Sequence, residues 1–77
     1  MIDNEKVGSL IASLRQARNM TQQDLADRLI VSHQAVSKWE KGRALPDVQI
    51  LLRISRLFGI TMEELLIADS TTMTVQM

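Results

Sequence analysis

Apolar positions recur on a helical period through most of the chain. Val7, Leu10, Ile11, Leu14 and Ala17 lie three and four residues apart, which predicts a helix from about Glu5 to Arg18. Asn19 closes it, because Asn tolerates the left-handed conformation that ends helices, and residues 1–6 are expected as a frayed end. Leu25, Ala26 and Leu29 form a second stripe, opened by Thr21 with Asp24 three residues on. Ser32 is a good N-cap for a third helix, His33 to Lys41, which Gly42 stops by adopting a positive φ cheaply. Asp47 caps a fourth, with Ile50, Leu51, Ile54, Leu57 and Phe58 inward and Gly59 as its stop. Thr61-Met62-Glu63-Glu64 is a capping box opening a fifth helix through Leu65, Leu66 and Ile67. No strand pattern occurs in the first 68 residues, so the expectation is an all-α fold of five helices.

The second and third helices stand apart from the rest. Only Ile30 and Val31 separate Leu29 from Ser32, and so short a connection makes the helices cross steeply, the helix-turn-helix geometry. On the third helix, Ala35, Val36 and Trp39 gather on one side, which makes Trp39 a core residue. His33, Gln34, Ser37, Lys38 and Lys41 gather on the other, a face of donors, acceptors and cations without a carboxylate. Such a face suits base edges and phosphates. Gln34 can bond adenine N7 and N6 together, Lys38 can donate to guanine O6 or N7, and Ser37 can reach a base or a phosphate. Taken alone, the four polar residues His33, Gln34, Ser37 and Lys38 on one helix would usually be a solvated surface.

The runs Thr21-Gln22-Gln23-Asp24-Leu25-Ala26 and Val31-Ser32-His33-Gln34-Ala35-Val36-Ser37-Lys38-Trp39-Glu40-Lys41-Gly42 resemble the Cro/C1-type, XRE-like helix-turn-helix domains of phage repressors and bacterial regulators. The resemblance extends from about Val7 to Leu66 and includes Pro46 and Leu65. It implies a five-helix lambda-repressor-like fold over residues 1–68, with the helix-turn-helix at helices 2 and 3 and a recognition helix at about residues 32–41. It places base contacts at His33, Gln34, Ser37 and Lys38, and a grip on the DNA backbone at Gln22, where a helix N-terminus also favours a phosphate. Lys41 and Arg43, flanking the end of that helix, are expected on neighbouring phosphates. An Arg at the position of Arg15 pairs in these domains with the residue matching Glu40; the bland alternative is a solvated surface charge. The family often has Gly or Asn where Ile30 stands. A β-branched residue there is either strained at positive φ, at a cost of order ~1 kcal/mol, or sits at different dihedrals.

Charge and composition then narrow the chemistry. The net charge is zero, yet residues 15–43 carry an excess of three positive charges while the flanking segments are acidic. Neutrality implies weak non-specific DNA affinity, so specific binding must draw on several correct contacts or on a dimer. With one histidine, no cysteine and no pair of carboxylates spaced for joint acid/base work, no catalytic site, metal site, cofactor or small-molecule substrate is expected. The N-terminus, MIDNEK, is not a signal sequence, and no apolar run approaches the roughly 18 residues of a membrane span, so a cytoplasmic location is the expectation.

In the tail, residues 69–77, Met73, Val75 and Met77 alternate with Thr72, Thr74 and Gln76. Two readings stand: a disordered terminus, or a short strand pairing with its copy in a homodimer. The expected function is sequence-specific binding of a double-stranded DNA operator, as a homodimeric transcriptional regulator of the repressor type. The rival is a protein-binding adaptor or antitoxin-type module that turns the same helix-turn-helix surface to another protein.

Overall fold

A computed structural model describes residues 2–67. Five helices follow one another: α1 (Asn4–Ala17), α2 (Gln22–Leu29), α3 (His33–Glu40), α4 (Val48–Phe58) and α5 (Met62–Ile67). There is no strand among the described residues, and none of the helices is long and apolar enough to cross a membrane. The alternating tail expected at residues 69–77 lies outside them.

Each helix begins where a side chain can take up a first-turn amide. Thr21 and Asp24 form a reciprocal capping box on α2, Ser32 Oγ accepts from the Ala35 amide, Asp47 from Ile50, and Thr61 and Glu64 repeat the box on α5. The chain start differs from the expected frayed end. Asp3 Oδ1 accepts from the amides of Glu5 and Lys6, at 2.9 and 3.1 Å, so residues 4–6 are helical. An aspartate there satisfies two otherwise unpaired donors and its charge suits the helix dipole.

The first four helices all close through a residue in the left-handed region: Asn19 (φ 57°), Ile30 (φ 58°), Gly42 (φ 75°) and Gly59 (φ 69°). In each case the next amide reaches back to a carbonyl of the last turn, as Met20 to Arg15, Val31 to Ala26, Arg43 to Lys38 and Ile60 to Ser55.

One core joins the helices. Val7 and Ile11 of α1, Leu25, Ala26 and Leu29 of α2, Val36 and Trp39 of α3, Leu51, Ile54 and Phe58 of α4, and Leu65 of α5 are buried together. Ala17 is exposed, so the α1 stripe ends a turn earlier than its spacing predicts; the last turn runs past the core. Helix α3 packs on both α1 and α2. Gly8 makes the α1 contact possible, because a Cβ there would overlap the carbonyl oxygen of Trp39.

Candidate nucleic-acid interface

The turn between α2 and α3 sets how α3 is presented. Ile30 holds φ 58°, ψ 52° with its side chain 82% exposed, so backbone strain there is not repaid by burial. Arg53 Nη1 of α4 donates to the Leu29 carbonyl at 3.1 Å, tying the last turn of α2 to the scaffold immediately before Ile30. At the far end, the Gly42 amide returns to Trp39 O and the Arg43 amide to Lys38 O, so the chain leaves α3 by a fixed path.

Between these ends α3 divides sharply. Val36 and Trp39 are buried and Ala35 half-buried against the core, while His33, Gln34, Lys38, Lys41 and Arg43 are exposed and Ser37 is half-buried. The one carboxylate of the helix, Glu40, lies at the edge of that face and is enclosed by its partners. Its oxygens accept from Arg15 Nε at 2.8 Å and Arg15 Nη2 at 3.0 Å, and the side chains keep only 12% (Arg15) and 7% (Glu40) of their surface exposed. Arg15 Nη1 also donates to Met20 O at 2.7 Å, so the guanidinium spans the end of α1, the α1–α2 turn and the end of α3. Hydrogen bonding to Glu40 holds its pKa above even the usual arginine range, outweighing the opposing effect of burial.

Gln22, the first residue of α2, occupies the middle of this arrangement. Its Nε2 donates to Glu40 Oε1 at 3.0 Å, and its Oε1 lies 3.0 Å from Nε2 of His33. The side chain assigned by resemblance to the DNA backbone is thus also a bridge between the two ends of α3. Hydrogen bonds join Arg15, Glu40, Gln22 and His33 into one chain.

The model of helix-turn-helix domains matches residues 11–65, which include every element of this surface. The chain belongs to the Cro/C1-type helix-turn-helix family. Among relatives of this family, it is 44% identical over 63 residues to the HTH-type transcriptional activator BcrR of Enterococcus faecalis, an alignment covering 82% of this chain and 29% of BcrR. It is 41% identical over 54 residues to multiprotein-bridging factor 1 of Eremothecium gossypii, covering 70% of this chain and 36% of that protein. Of solved structures, the clp gene regulator ClgR of Corynebacterium glutamicum superposes with a TM-score of 0.77 at 25% identity, over 99% of this chain and 81% of that one. The chain therefore spans well under half the length of both sequence relatives.

Within this family fold, two arginines do work that sequence reasoning missed. Arg53 secures Leu29, as above, and Arg18 Nη1 donates to the Leu57 carbonyl at 2.8 Å while its guanidinium lies 5.2 Å from the centre of the Phe58 ring. Each places a cation at the C-terminal end of a helix, where carbonyls lack partners and the dipole is negative. A cation far away in sequence gives no local signal of such a bond. Gln23 and Asp27, four residues apart on the exposed side of α2, pair with each other. Among the described residues, no group of three or more potential ligands is placed to hold a metal ion.

Proposed function

We propose that this helix-turn-helix domain binds a double-stranded DNA operator in the cytoplasm and regulates transcription by occupancy rather than by chemistry. The observation that carries the reading is the exposed α3 face, which has no carboxylate because the only one on the helix is bound to Arg15. Helix α3 enters the major groove, with Gln34 and Lys38 reading base edges and His33 and Ser37 adding contacts nearby. Lys41, Arg43 and the α2 N-terminus at Gln22 hold the phosphates on either side. One recognition helix covers only a few base pairs, so the chain acts as a homodimer on half-sites about one helical turn (~34 Å) apart. Repression follows when such a site overlaps a promoter; the name of BcrR, an activator, marks the other outcome open to the same surface. Selection of binding sites from random oligonucleotides tests the reading: a two-fold symmetric consensus is expected, and enrichment of no sequence would refute it.

A second reading has its own support. The net charge is zero, and one relative is named for bridging several proteins. In this reading the α3 face, or α3 with α2, docks on another protein, and recovery of a defined protein complex from lysate without any DNA selectivity would favour it.

A further inference from the structure

The hydrogen-bond chain from Arg15 to His33 has a direction. Arg15 can only donate, so Glu40 is an ionised acceptor on both oxygens. An acceptor-only carboxylate requires the NH2 end of the Gln22 amide, and Nε2 of Gln22 indeed faces Glu40 Oε1 at 3.0 Å. The carbonyl end of Gln22 is thereby turned to His33. Because that carbonyl can only accept, Nε2 of His33 must be the nitrogen that carries hydrogen, across 3.0 Å. In a neutral imidazole the lone pair then sits on Nδ1. No other described residue hydrogen-bonds the ring, and His33 is exposed at the first position of α3.

We propose that Gln22 is a positioning residue that sets His33 as a hydrogen-bond acceptor toward DNA. The proposal rests on the DNA-binding function above and refines it at one contact. A neutral His33 whose single N–H is held by Gln22 has nothing to donate to a phosphate, or to guanine O6 and N7 or thymine O4. It can accept from an amino group, which in the major groove means adenine N6 or cytosine N4. The base facing His33 is therefore adenine or cytosine on the contacted strand. The choice is fixed by an ion pair at the far end of α3, with Gln22 as the link that converts a buried charge into the polarity of an exposed ring.

The test uses the full chain, in which His33 is the only histidine, so its ring signals are unambiguous. Long-range proton–nitrogen correlation spectra, at a pH where the ring is neutral, report which ring nitrogen carries hydrogen. Wild type is expected in the Nε2–H form. Gln22→Lys replaces the amide by a side chain that only donates, compatible with Glu40, and is expected to convert the ring to Nδ1–H. The same tautomer in both proteins, or Nδ1–H in wild type, would overturn the relay. Site selection with wild type, Gln22→Lys and His33→Ala supplies the DNA arm. At the position whose preference His33→Ala abolishes, wild type should favour adenine or cytosine by on the order of tenfold, and Gln22→Lys should reject cytosine, which offers only a donor there, and admit guanine and thymine. A tautomer switch without a shift in base preference would overturn the specificity assignment while leaving the relay standing. A tautomer switch in a protein that selects no DNA would instead refute the DNA-binding function itself.

Discussion

Arg15 and Glu40 are joined by two hydrogen bonds, Nε to Oε2 at 2.8 Å and Nη2 to Oε1 at 3.0 Å, with both side chains almost enclosed. The pair fixes the end of α3 against α1 and clears the outer face of α3 of negative charge. Removing one partner strands the other: Glu40→Ala should lower the unfolding free energy by ~3 kcal/mol, measured by urea denaturation. The double variant Arg15→Met/Glu40→Leu, which strands no charge, should lie closer to wild type than either single change.

Ile30 closes α2 at φ 58° and Gly59 closes α4 at φ 69°. Only one of these residues suits that conformation. Ile30→Asn, at a position 82% exposed, should stabilise the fold by ~1 kcal/mol, because Asn tolerates the left-handed region and little burial is lost. Gly59→Ala should destabilise by about the same amount, since a Cβ at Gly59 meets nothing within 4 Å and the cost is purely that of the backbone. Paired thermal unfolding curves give both signs in one experiment.

Gly8 permits the contact of α1 with the end of α3. Gly8→Ala drives a methyl into the Trp39 carbonyl, which must move, and should cost ~1–3 kcal/mol by denaturant unfolding despite the higher helix propensity of Ala. Because the displaced segment ends in Glu40, DNA affinity should fall too, measured at a temperature where the variant remains folded.

Asp24 Oδ2 accepts the Thr21 amide at 2.9 Å, and that bond, with the Thr21 side chain, holds its carboxyl below the usual aspartate range. The sign follows directly: a group with a depressed folded-state pKa contributes at neutral pH and loses that contribution as the pH falls through its folded value. The difference in melting temperature between wild type and Asp24→Asn should therefore be largest near neutral pH and shrink in acid. A difference that grows on acidification would contradict the capping role.

The starts of α2 to α5 are legible in this sequence because each is marked by a side chain that bonds an amide three residues on, at Thr21, Ser32, Asp47 and Thr61, whereas the same mark at Asp3 is read as part of a frayed end. The apolar spacing likewise identifies the inward faces of α2 and α3, since short helices held at both ends have little freedom to rotate. Features that depend on distant parts of the chain were not legible. Gly8 reads as an ordinary weak helix residue until Trp39 is packed against it, and Arg18 and Arg53 read as surface charge until Leu57 and Leu29 come within reach. Ala17 fits the helical period, yet period alone cannot say where a helix leaves its core. The bridge through Gln22 is hidden for the same reason, because its partners lie on another helix and are set by tertiary packing.

The central claim is that α3 reads bases while Lys41 and Arg43 hold phosphates. The most direct test measures affinity for the selected operator and for random DNA across a salt series, in Gln34→Ala, Lys38→Ala, Lys41→Ala and Arg43→Ala. Gln34→Ala and Lys38→Ala should reduce the operator preference by ~1–3 kcal/mol each. Lys41→Ala and Arg43→Ala should weaken binding to both DNAs nearly equally and lower the slope of log affinity against log salt by about one each. Equal losses on both DNAs for all four variants, with no change in preference, would contradict the account.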